Sequence, residues 1–109
     1  MILYSFRETN RFTKRVERIM DDDDFAEFQL TLAADPKQGV IVPGGGGIRK
    51  MRYAASGRGK RGGARVIYYF PDDDAEIYLL DIFTKNEQSD LAKDELRELR
   101  AVVEEWLND

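Results

Sequence analysis

Two segments, "ARVIYYF" (64–70) and "EIYLLDIF" (76–83), are rich in β-branched and aromatic residues and flank the turn sequence "PDDDA". Such side chains fit a pleated, half-buried surface, and a proline followed by aspartates between two runs of this kind folds the second back on the first. A third run of strand character, "IRKMRYA" (48–54), precedes them across the loop "SGRGKRGG". The three together predict an antiparallel meander, strand-loop-strand-turn-strand, against which everything else in the chain has to pack.

The remaining segments supply the packing. "ILYSF" (2–6) reads as a short strand. Thr9 is a plausible N-cap for "NRFTKRVERIM", whose Phe12, Val16, Ile19 and Met20 recur at helical spacing. In "DDDDFAEFQLTLAADP" the stripe is Phe25, Phe28 and Leu32, with Asp24 and Glu27 arranged like a capping box. Asp35 precedes Pro36, which disfavours the α region and ends that helix. "KQGVIVPGGGG" (37–47) is a connection, and "SDLAKDELRELRAVVEEWLND" is a last helix with Leu91, Leu99, Val102, Val103 and Trp106 on one side. The predicted order is β-α-α-β-β-β-α, an α+β fold with a helical hairpin on one face of an antiparallel sheet and a C-terminal helix. At 109 residues with no internal repeat, residues 1–109 are expected to form one domain.

Composition removes several kinds of chemistry. There is no cysteine, so disulfides, thiolate metal sites and cysteine nucleophiles are excluded. That fits a reducing cytoplasm, the expected location. There is no histidine either, which rules out Ser-His-Asp chemistry and ribonucleases built on paired histidines. No apolar run reaches the roughly 20 residues that span a bilayer, and "MILYSFRETNRF" lacks the basic start of a secretory signal. "GGGGIRK" and "GRGKRGG" do not have the spacing of a phosphate-binding P-loop, and strand-like sequence follows both. "DDDD" (21–24) and "DDD" (72–74) lack the alternating ligands of a calcium loop, so no metal and no cofactor is expected.

Charge is unevenly placed. The chain carries net −4, yet no acid occurs between Asp35 and Asp72. That window holds eight of the 17 basic residues: Lys37, Arg49, Lys50, Arg52, Arg58, Lys60, Arg61 and Arg65. Strand alternation sorts them further. Lys50 and Arg52 share one face of their strand. Arg65, Ile67 and Tyr69 share one face of the next, opposite Val66, Tyr68 and Phe70. On the third strand Tyr78, Leu80 and Ile82 form the core side, leaving Asp81, Phe83 and Lys85 with Arg65 and Tyr69. One sheet face should then be buried under helices, while the other collects Lys50, Arg52, Arg65, Tyr69 and Lys85. A single charged strand residue means only a solvated face or an edge guarded against aggregation. The whole set, with no acid in its window, points to a polyanionic partner.

Three stretches, "DPKQG" with "GGIRKMR", "GRGKRGGARVIYYF" and "IFTKNEQSDL", resemble the HigB-type branch of the RelE/ParE toxin superfamily. The resemblance runs from the second helix to the start of the last, and the superfamily's β-α-α-β-β-β-α order agrees with the one read from the residues. It implies a bacterial type II toxin, an endoribonuclease that cuts messenger RNA in the ribosomal A site without a metal. A co-encoded antitoxin, commonly a helix-turn-helix protein, would hold it inactive. In such chemistry a ribose 2′-hydroxyl attacks the adjacent phosphate. Arg65 would then stabilise charge on the scissile phosphate, since a planar guanidinium suits two oxygens. Lys50 and Arg52 would hold flanking phosphates or assist at the leaving oxygen, and Lys85 would reach the same pocket. Arg49, Arg58, Lys60 and Arg61 would contact RNA backbone. A lysine among neighbouring cations, or Tyr69, would serve as base. Phe83 stands where relatives often carry a tyrosine, so no phenol is available there. Two other functions fit the same fold: a non-catalytic RNA- or antitoxin-binding protein, and a ParE-like inhibitor of DNA gyrase. The density of Lys and Arg on the sheet favours RNA over gyrase.

Overall fold

The three meander strands form as the sequence predicts: β3 (Arg49–Tyr53), β4 (Ala64–Tyr69) and β5 (Glu76–Thr84) are antiparallel neighbours. The computed structural model describes residues 3–54, 63–72 and 75–109. Before β3 come β1 (Ser5–Glu8), α1 (Asn10–Ile19), α2 (Asp22–Ala34) and a two-residue β2 (Val40–Ile41); α3 (Lys93–Leu107) follows β5. Among the described residues the sheet has five strands in the order β1-β5-β4-β3-β2. β1 lies parallel to β5, so the sheet is mixed, and β2 adds a short antiparallel edge inside the predicted connection.

Local signals explain the helix ends. The Thr9 side chain accepts the Phe12 N–H at 3.0 Å and caps α1. α2 is capped by Asp21, which accepts the Asp24 N–H at 2.8 Å, rather than by the expected Asp24–Glu27 pair. This arrangement sets Asp22, Asp23 and Asp24 in the first turn, where the helix dipole favours negative charge. Asp35 closes the helix before Pro36. α3 begins four residues later than Ser89, with Glu95 reaching back to accept the Ala92 N–H at 2.9 Å.

Both faces of the sheet are covered, a correction to the expected open face. On one side Phe12, Val16 and Ile19 of α1 and Phe28 and Leu32 of α2 pack with Met51, Val66, Tyr68, Ile77, Leu79 and Ile82. On the other, Leu99 and Val103 of α3 pack with Ile48, Ile67, Tyr78, Leu80 and Phe83. Strict alternation would have kept Tyr78, Leu80 and Ile82 together. The β4–β5 ladder instead slips between Ile67 and Tyr68: Ile67 faces Asp81, whereas Tyr68 faces Leu79, leaving Leu80 without a partner opposite. One extra residue reverses the facing of everything beyond it. Tyr78 and Leu80 therefore meet α3 and Ile82 meets the helical hairpin.

At this bulge Asp81, expected on the open face beside Arg65, is fully buried. Its Oδ1 accepts from Arg15 Nη1 at 3.0 Å and from the Ile82 N–H at 2.8 Å, with Arg11 Nη1 3.7 Å from Oδ2. Burial pushes the carboxyl upward against the pull of Arg15, the Ile82 N–H and Arg11. Arg15→Ala should thus strip the main counter-charge from a buried carboxylate and cost about 2–3 kcal/mol near neutral pH. A carboxyl with a raised folded-state pKa costs stability above that pKa, and the cost is relieved as pH falls through it toward the unfolded value. Urea unfolding should therefore show the loss shrinking under mildly acidic conditions.

Candidate functional site

Three features of the backbone bring cations together. Arg52 on β3 stands directly opposite Arg65 on β4, and Arg65 stands opposite Phe83 on β5. Lys50, two residues before Arg52, stands opposite Ile67 on the same face. α3 covers Ile67 and Phe83 completely but does not extend over the arginines, so the cationic strip is the part of this face that the last helix leaves open. Two adjoining hollows of about 700 and 740 Å³ share Arg52, Arg65 and Lys85 in their walls; Lys50 lines the first.

Like charges directly opposite each other across a ladder cost a few tenths to about 1 kcal/mol. No ion pair in the described structure offsets that cost for Arg52 and Arg65. Among the described residues, neither of these arginines nor Lys85 has a carboxylate within ion-pairing distance. Arg65 makes one long contact, Nη1 to the Gly63 carbonyl at 3.5 Å. Arg52 and Lys85 are exposed. An anion entering the hollows would relieve the repulsion.

The walls are held from outside the strip. Tyr68 faces the opposite side, where its hydroxyl donates to the Pro36 carbonyl and accepts the Gly39 N–H, both at 2.8 Å. Gly39 must be glycine here, since a Cβ would lie 2.8 Å from the Tyr68 hydroxyl and 3.0 Å from the Lys50 carbonyl. Arg49 donates to the Lys37 and Gly39 carbonyls at 3.1 and 2.8 Å, so its guanidinium fastens this wall and is not turned into the hollow. Lys85 leaves β5 at a turn where Glu87 accepts from the Thr84 N–H at 3.0 Å and pairs with Arg18 of α1.

Of the expected site residues, Arg65, Lys50, Arg52 and Lys85 come together. Tyr69 does not. It shares their face but lies at the other end, stacked on Tyr78 at 5.9 Å and beside Trp106 in a separate hollow. The turn at 44–47 packs there too: Gly47 has φ +104°, and a Cβ on it would come within 3.0 Å of the Tyr69 ring. Arg58, Lys60 and Arg61 lie outside the described residues.

One lining residue escaped the sequence analysis. Asp90 Oδ1 pairs with Lys50 Nζ at 3.0 Å, which corrects the expectation that the cations of the acid-free window lack a carboxylate partner. The Leu91 N–H and Lys50 hold the Asp90 carboxyl below its ordinary range, with the Arg65 charge adding to the effect. Among the described residues no three acidic side chains converge as a metal site, and no helix is long and apolar enough to cross a membrane.

Residues 8–109 match the family model described as RelE toxin of the RelE/RelB toxin-antitoxin system. The chain belongs to the RelE toxin family. Two solved structures share the fold. The intact E. coli RelBE toxin-antitoxin complex matches with TM-score 0.56 and 13% identity, over 74% of this chain and 95% of that one. A mutant of the E. coli toxin RelE in the free state matches with TM-score 0.56 and 12% identity, over 80% of this chain and 88% of that one. In this RelE-family chain the first hollow depends on the wall that Tyr68 holds. Tyr68→Phe should lower stability by about 1–2 kcal/mol through two lost hydrogen bonds. Hydrogen exchange should show the Gly39 amide losing its protection.

Proposed function

We propose that this RelE-family chain is the toxin of a toxin–antitoxin pair, of the HigB-type branch, and that it cuts messenger RNA on the ribosome. The observation that carries this reading is the convergence of Arg52, Arg65 and Lys85, none paired with a carboxylate among the described residues, on two hollows that meet. A nucleotide chain is a row of evenly spaced anions, and it can run from one hollow to the other. A small anionic metabolite would need only one.

The chemistry assigned to the site is transesterification. The 2′-oxygen bonds to phosphorus, the bond to the 5′-oxygen breaks, and the products are a 2′,3′-cyclic phosphate and a 5′-hydroxyl. Negative charge grows on the two free phosphate oxygens, where the planar Arg65 guanidinium can meet both. Arg52, opposite it, takes the neighbouring phosphate. Lys85 borders both hollows and takes the phosphate beyond. Lys50 is assigned to the leaving side, donating a proton to the 5′-oxygen, while the 2′ proton passes to water in the open hollow. Tyr69 has no part in this, and Phe83, fully buried, offers no hydroxyl. A RelB- or helix-turn-helix-type antitoxin is the proposed partner that silences the site.

Inducing the protein in bacteria should stop growth and leave cuts inside translated messages, mapped by primer extension. Arg65→Ala should remove about 3–4 kcal/mol of transition-state stabilisation, as for a lost oxyanion donor, and abolish both effects. Tyr69→Phe should leave cleavage unchanged. Growth arrest with intact messages would overturn the ribonuclease assignment in favour of gyrase inhibition; undiminished cutting by Arg65→Ala would overturn the role of that arginine.

A further inference from the structure

Among the described residues the Lys50–Asp90 pair works against anion binding in the strip. Asp90 is the only acid lining either hollow among the described residues. Its carboxylate repels the phosphates that Arg52, Arg65 and Lys85 attract. Fold stability does not account for it: the Asp90 side chain is 61% exposed, and exposed ion pairs contribute little.

Asp90 is also held firmly. Its Oδ1 accepts from both Lys50 Nζ at 3.0 Å and the Leu91 N–H at 2.8 Å. Its backbone carbonyl accepts from Gln88 Nε2 at 3.0 Å, and the same Gln88 nitrogen reaches Glu95 Oε1 at 3.2 Å. Glu95 in turn caps the start of α3. A fixed carboxylate on the lead-in to α3 thus grips the end of a flexible side chain from β3. Lysine has a compact charge on a flexible four-carbon stem, so an ungripped Lys50 would sample the whole mouth of the hollow.

We propose that Asp90 is a positioning residue for the cleavage reaction, holding the Lys50 ammonium at the leaving-oxygen side of the scissile phosphate at the expense of RNA affinity. The proposal rests on the ribonuclease reading above. It makes Asp90 matter to the rate of cutting and only through Lys50, whereas a residue that merely attracts or repels RNA would change binding.

Single-turnover cleavage of a message on ribosomes, with toxin concentration varied, separates these effects. Asp90→Ala should lower the maximal rate by about tenfold or more while leaving the half-saturating concentration unchanged or reduced. Asp90→Asn keeps an oxygen for Lys50 and for the Leu91 N–H, and should recover to within about threefold of the parent rate. In a Lys50→Ala background, Asp90→Ala should change the rate by less than about twofold. A loss that persists in the Lys50→Ala background, an Asp90→Asn rate as low as that of Asp90→Ala, or a full rate in Asp90→Ala would each overturn the proposal. Thermal unfolding of every variant checks the fold, and Asp90→Asn decides the matter should Asp90→Ala melt early. A parent protein that cuts no message sinks the ribonuclease reading and this proposal with it; a cutting parent with an indifferent Asp90 sinks this proposal alone.

Discussion

The single unpaired residue in the β4–β5 ladder organises both sides of the sheet. Leu80 has no partner opposite, so β5 presents Tyr78 and Leu80 to α3 before it and Ile82 to the helical hairpin after it. Without that slip, strict alternation would send Ile82 to α3 with Tyr78 and Leu80, and Phe83 to the helical hairpin with Ile77 and Leu79. With it, α3 gains an apolar seat on a face that also carries four cations. The helix takes the apolar part, and the cationic part stays open.

The bulge also turns Asp81 inward, to Arg11 and Arg15 of α1. The acid-rich remainder of the chain spends several carboxylates in this way, on cationic groups that do not belong to the strip. Glu87 takes Arg18, Glu98 takes Arg11 and Asp109 takes Arg7. The net charge of −4 is therefore a poor guide to what the molecule attracts. Field lines near the strip are set by local arrangement, because salt screens charges more than about 10 Å away.

Elements were legible wherever the pattern was local. Thr9 as a cap, the Asp35-Pro36 stop, the three meander strands and the Leu99, Val103 and Trp106 part of the α3 stripe follow from spacing within a few residues. What escaped the sequence depends on distant partners or on a broken period. The parallel pairing of β1 with β5 joins segments about seventy positions apart, and no short-range signal marks it. The bulge interrupts a pattern that looks regular in "EIYLLDIF", so Asp81 and Ile82 were placed on the wrong sides. Alternation gave Tyr69 its correct face but not its position along that face, which depends on where α3 lies. Arg52 and Arg65 were readable because they stand in the acid-free window, and Lys85 because alternation along its strand set it on their face. Asp90 was not, since it is one acid among 21 until the fold carries it across 40 positions to Lys50.

β2 is only two residues long, and its Val40 and Ile41 side chains are exposed at the margin of the sheet. Margins of that kind invite another chain to hydrogen-bond alongside and begin a fibre. Pro43 follows almost at once, removing an amide donor, and the backbone turns away through glycines with positive φ. Too little straight backbone remains to template a neighbour. The chain in this way resists polymerising while still presenting two oily side chains to solvent.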